Sequence, residues 1–158
     1  MLSRRLLFPL LGACLLAGLE PLRAQEAWTH YRNGRYGTSV DYQEFFEADP
    51  PPVNDDGQSF TSPEAKFSVY ARLNRGGETP KSYLADLLAD ADYAKTTYRN
   101  IAGNRLTISG YRGGNTFYEV YLFSPRGVVH ALVLAYPTQH QNDYDAMVTR
   151  MARSFTGP

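Results

Sequence analysis

The sequence predicts an α+β protein, a mainly antiparallel β-sheet covered by two helices. Three observations lead there. Residues 116–136 hold two runs of aromatic and β-branched side chains on either side of Ser124-Pro125-Arg126-Gly127, the pattern of a β-hairpin. The second run, 128–136, is apolar on both parities. A strand that can show water neither face lies centrally, with cover on both sides. Near the end of the chain Tyr144, Met147, Val148, Met151, Ala152 and Phe155 recur at helical spacing. The order strand, hairpin, helix, several strands, helix then favours helices layered on an antiparallel sheet.

Taken in order, residues 28–35 read as a lead-in with a tight turn at Asn33-Gly34. In 36–42, Tyr36, Thr38, Val40 and Tyr42 alternate with Gly37, Ser39 and Asp41, as in a half-buried strand. The prolines of 49–57 lack amide donors and break regular structure. Residues 58–61 and 66–73 form a second hairpin, with Phe67, Val69, Ala71 and Leu73 inward. Thr79 and Pro80 start a helix as N-cap and first-turn proline, and Tyr83, Leu84, Leu87, Leu88 and Ala91 make its apolar stripe. Strands follow over 96–101 and 105–112, joined by Ala102-Gly103-Asn104. Thr138, with Gln141 three residues on, offers a capping box for the last helix.

The first residues carry Arg4 and Arg5, an apolar run over 6–19, and Ala24 before Gln25. A basic head, a short apolar run and a small residue describe a secretory signal peptide over 1–24, leaving one α+β domain over 25–158. Export to the periplasm or the outside follows. Leu11-Gly12-Ala13-Cys14 also resembles a lipobox, in which an acylated Cys14 becomes an anchor. The apolar run continues beyond Cys14 through Leu15, Leu16 and Leu19, which favours cleavage at Ala24. The remaining chain then holds no cysteine, which excludes disulfides, thiolate metal sites and a cysteine nucleophile. It carries 13 basic and 15 acidic residues, a net charge of −2, which gives no general pull toward nucleic acid. No stretch beyond the signal peptide has the run of about 20 apolar residues that a membrane span needs.

Residues 36–42 near the start, together with the central strand, Pro137 and the closing Arg150-Met151-Ala152-Arg153-Ser154-Phe155, resemble the PsbP-like family of α-β-α sandwich domains. More closely, they resemble uncharacterised exported proteins of proteobacteria. The resemblance implies that fold. The family includes extrinsic photosystem II subunits and other assembly or binding proteins without a shared catalytic set, so it carries over no functional residue and implies no photosynthetic role.

Chemistry-bearing motifs are sparse. His30, His130 and His140 have no metal-binding spacing, and His130 lies inside an apolar strand. Asp86 and Asp90, and Asp143 and Asp145, sit on helical polar faces or near a helix start, without the alternation of a calcium loop. There is no nucleophile elbow, and Arg75-Gly76-Gly77 and Arg112-Gly113-Gly114 are turns rather than phosphate loops. The sequence therefore predicts no cofactor, no metal and no catalytic residue. The one pattern that suggests a site is Tyr98, Arg99, Arg105, Tyr111 and Arg112, with Tyr118 beside them. Arg105, Thr107, Ser109 and Tyr111 share a parity, and that face is expected outward, offering cations beside rings to an acidic or sugar-like ligand or a partner protein. The predicted function is a non-enzymatic binding or assembly role toward a periplasmic protein or small ligand. The competing reading is an exported hydrolase whose site the fold assembles around His130 or His140. Intact-mass measurement of the exported protein is expected to give an N-terminus at Gln25; a diacylated Cys14 would replace the soluble form with an anchored one.

Overall fold

The computed structural model describes residues 27–158; the predicted signal peptide and Cys14 lie outside them. The described residues form nine strands and two α-helices: β1 (Trp28–Arg32), β2 (Ser39–Gln43), β3 (Glu47–Ala48), β4 (Gly57–Thr61), β5 (Lys66–Leu73), α1 (Pro80–Ala89), β6 (Thr96–Ala102), β7 (Arg105–Arg112), β8 (Asn115–Ser124), β9 (Val128–Pro137) and α2 (Gln141–Ser154). β3 to β9 make one antiparallel sheet in the order β3-β4-β5-β9-β8-β7-β6, and β1 and β2 pair separately.

β9 is the middle strand of the seven, as its two apolar parities require. Leu132, Leu134 and Tyr136 join one core with Phe60, Phe67, Val120, Met147, Met151 and Phe155, beneath α2 and the β1–β2 ribbon. Val129 and Ala131 join the other with Leu106, Ile108, Phe117, Tyr121 and Phe123, beneath Tyr83, Leu84 and Leu87 of α1. The molecule is thus three layers, with the sheet between helices. No helix of the described residues is long and apolar enough to cross a membrane.

The two covers are unequal. α2 buries Met147, Val148, Met151 and Ala152, whereas α1 buries no residue fully. α1 begins as predicted, with Thr79 and Ser82 exchanging side-chain and backbone bonds in a capping box, but it stops at Ala89, and Ala91 falls in a separate 3-10 turn, Ala91–Tyr93. The expected box at Thr138 does not form. Residues 138–140 make a 3-10 turn and the Thr138 hydroxyl is 3.3 Å from that of Thr116, so the sheet takes the group that would have capped the helix.

The lead-in expected before Asn33 is a strand, because β2 supplies the partner that residues 28–32 lack locally. The tight turn expected at Asn33-Gly34 is a wider loop closed by Asn33 N–H donating to the Thr38 carbonyl at 2.8 Å, with Gly37 at φ +70, a value that suits glycine. The strand expected over 36–42 begins at Ser39 as a result. Leu73, expected inward, is exposed because it ends its strand. The tail closes the fold. Ser39 and Thr156 exchange backbone hydrogen bonds of 2.9 Å, which pins the residues after α2 to β2.

Leu132 is fully buried on β9. Leu132→Ala is expected to cost about 2–5 kcal/mol, as a large-to-small change in a close-packed core. Denaturant titration checks this, and a loss below about 1 kcal/mol would contradict the central position of the strand.

Candidate functional site

The register of the β6–β7 hairpin decides where each predicted site residue goes. Tyr98 pairs with Ser109 and Arg99 with Ile108, and neighbours along a strand point to opposite faces. Tyr98, Arg105 and Tyr111 therefore lie with Tyr118 on the α2 side. Arg99 shares the α1 side with Ile108, and Arg112 lies over the Tyr93 and Phe117 rings on that side. The sheet passes between the two groups. The parity expected to face outward is partly covered, since Thr107 is buried.

On the α2 side, the helix packs on β2, β8 and β9 and leaves a cleft of about 300 Å³ against β6 and β7. Tyr98, Ser109 and Tyr111 come from the hairpin, Thr116 and Tyr118 from β8, and Tyr136 from β9. Gln141, Asp145 and Thr149 form the helical wall. A second depression continues past Tyr118 and Thr149 to Arg105 and Arg153. The groove therefore carries a carboxylate toward one end and guanidinium groups toward the other.

Two of the groove's rings, Tyr136 and Tyr118, have hydroxyls that burial keeps protonated. Tyr136 stacks on Tyr144 with centroids 5.0 Å apart. Burial, with the Asp145 charge adding, pushes the Tyr136 hydroxyl up to about 12. Burial, then Tyr98, raises Tyr118, with Arg105 opposing. At neutral pH these hydroxyls are both donors and acceptors. Arg105 donates to the Ala152 carbonyl at 2.6 Å, so it ties β7 to the end of α2. The walls of the two depressions hold no histidine or cysteine. They can stack on a ring and hydrogen-bond to it; they hold no nucleophile–base pair.

On the α1 side the structure places a carboxylate that the sequence reading passed over. Glu119 lies on β8 and is 1% exposed. It accepts from Tyr121 Oη at 2.6 Å and Tyr93 Oη at 3.1 Å, with the Arg112 guanidinium 3.6 Å away. Arg112 also donates to the Asp92 carbonyl at 3.1 Å. These contacts hold the 3-10 turn at 91–93 against the sheet. Burial raises the Glu119 pKa, while the two hydroxyls and Arg112 pull it down less strongly. The signal in the sequence was one acid inside the apolar run 116–123.

His130 is closed off. It is 0% exposed, its Nδ1 is 2.8 Å from Thr38 Oγ1, and Gly157 lies so close to the ring that any β-carbon there would collide with it. Burial lowers its pKa and keeps it neutral. His140 sits at the start of α2 with Nδ1 3.3 Å from Asp143, and His30 pairs with Asp41 at 2.8 Å on the surface. None of the three lines the described clefts. Among the described residues no group of three or more histidine, cysteine, aspartate or glutamate side chains is placed to hold a metal ion.

A seven-stranded antiparallel sheet with a helical layer on each face defines an α-β-α sandwich of the α+β class. The solution structure of cyanobacterial PsbP (CyanoP) from Synechocystis sp. PCC 6803 matches it with a TM-score of 0.62, at 12% sequence identity, over 94% of this chain and 99% of that one. The fold is PsbP-like; at this identity the likeness is one of fold alone. No family model matches the chain. No curated protein matches it either.

Because Glu119 has a raised pKa in the fold, its contribution to stability is full below the ordinary carboxylate range near 4.3 and is lost as pH rises through the folded value. Glu119→Gln removes that titration. The melting temperature of the wild type relative to Glu119→Gln is expected to fall as pH is raised from 4 to 8; a difference that stays constant would mean the carboxylate is not held as described.

Proposed function

We propose that this chain is an exported periplasmic binding or assembly protein without catalytic activity, which seats a small sugar-like ligand in the tyrosine groove beside α2. The observation that carries the reading is the convergence of Tyr98, Tyr111, Tyr118 and Tyr136 on one cleft whose walls hold no catalytic pair. Tyrosines beside Ser109, Thr116 and Thr149 offer ring faces and hydroxyls, the chemistry that suits a polyhydroxylated ring. Arg105 and Arg153 at the far end favour an acidic group on the ligand over a basic one there. Export rests on Arg4, Arg5, the apolar run and Ala24. The likeness of the first and last segments to exported proteobacterial proteins supports the same compartment.

The hydrolase reading loses its support at His130, which has no route to solvent, and at His140, which lines none of the described clefts. A partner protein in the groove is the second reading. It draws on the exposed rings of Tyr98 and Tyr111.

An NMR titration with soluble oligosaccharides, neutral and uronic-acid-containing, is expected to perturb residues 98, 109, 111 and 118. Tyr98→Ala and Tyr111→Ala are each expected to weaken that binding about fivefold, from the loss of about 1 kcal/mol of ring contact. Perturbation elsewhere, or unchanged affinity in both variants, would remove the groove as the site.

A further inference from the structure

We infer that β6 is a docking edge to which an extended, acidic segment of a partner protein adds as an eighth strand. β6 ends the sheet on one side, and every residue of it from Thr97 to Ala102 is exposed. The opposite edge, β3, is only two residues long. Natural edges are blunted by proline, by shortness or by bulges. β6 has seven residues and no proline, and its irregularity lies at its beginning, between Thr96 and Tyr98.

Beyond that bulge the ladder is regular. A two-residue loop, Gly103-Asn104, joins Ala102 to Arg105, so Ala102 and Arg105 form a hydrogen-bonded pair, and such pairs alternate along an antiparallel ladder. Asn100 with Thr107, and Tyr98 with Ser109, are therefore turned toward β7. The amides and carbonyls of Arg99 and Ile101 then point away from the sheet, at the spacing an added strand reads. The exposed side chains fit the same occupant. Ile101 is 43% exposed and Tyr98 is 49% exposed, one on each face of the edge.

Charge selects the partner. Between Asp92 and Glu119 the chain carries Lys95, Arg99, Arg105 and Arg112 and no carboxylate. Arg105 is held by the Ala152 carbonyl and Arg112 by Glu119 and the Asp92 carbonyl. Lys95 and Arg99 have no side-chain hydrogen bond or ion pair among the described residues. A second copy of this chain, paired antiparallel over the full length of β6, would set Arg99 against Arg99, and like charges directly opposite are unfavourable. A strand with an acid opposite Arg99 and an apolar residue opposite Ile101 satisfies both positions. The edge meets the groove at Thr97 and Tyr98, whereas Arg99 and Ile101, which select the partner, project from the other face of the sheet.

The test is an NMR titration of the full chain with two probes, the heptapeptide Thr-Val-Thr-Glu-Thr-Val-Thr, whose Glu and Val share one face, and its counterpart with Lys in place of Glu, to millimolar concentration. The Glu peptide is expected to shift the amides of 96–102 and to protect those of Arg99 and Ile101 from exchange, with at least tenfold preference over the Lys peptide. Arg99→Glu is expected to reverse that preference, and this exposed substitution leaves both cores untouched. Ile101→Pro removes one outward donor at an edge position where proline is tolerated, and is expected to abolish binding. The proposal is overturned by absence of shifts, by equal binding of both peptides, by Arg99→Glu keeping the original preference, or by sedimentation showing that β6 pairs with a second copy.

Discussion

A strand that is apolar on both parities can be satisfied only by a sheet with cover on both faces, and β9 imposes that condition here. Its Leu132 and Leu134 need α2 and the β1–β2 ribbon, and its Val129 and Ala131 need α1. Each cover has its own apolar set, so the sheet separates two cores rather than closing one. Burial of this kind is non-directional and scales with area, so it sets the layers but not their exact extent.

Extent is where the surface features come from. Seven strands are wider than either helix. α2 buries four residues over the middle of the sheet and leaves the Tyr98–Tyr136 groove beside it. α1, ten residues long and nowhere fully buried, covers its face only in part. β6 lies at the limit of both covers, which leaves every residue from Thr97 to Ala102 exposed. The candidate groove and the candidate docking edge are two consequences of one mismatch between sheet width and helix cover.

The buried polar groups show how such a sandwich tolerates charge. Glu119 would be costly alone in a core, and it is placed where two tyrosine hydroxyls and a guanidinium reach it. His130 is kept neutral under the tail, bonded to Thr38 and closed by Gly157. The first network joins the 91–93 turn to the sheet and the second joins the C-terminal tail to β9. Each fastens a segment with little apolar area of its own.

By itself the sequence determined the layers. Period and parity are local properties, and residues 128–136, apolar on both faces, the one-sided stripe from Tyr144 to Phe155 and the Thr79-Pro80 start are legible because each is written within a few consecutive residues. Local signals failed where another part of the chain supplied the partner: β1 needs β2, and Thr138 turns to Thr116 rather than capping α2. The candidate site was legible only in composition. Tyr98, Arg99, Arg105, Tyr111 and Arg112 are close in sequence, but strand alternation sends Arg99 and Arg112 through the sheet from the other three. Tyr136, Asp145 and Thr149 reach the same groove from β9 and α2, and Glu119 finds Tyr93 and Arg112 across the fold. Those meetings depend on register and on where a helix crosses a sheet. Both are set by long-range packing, which no short window of sequence contains.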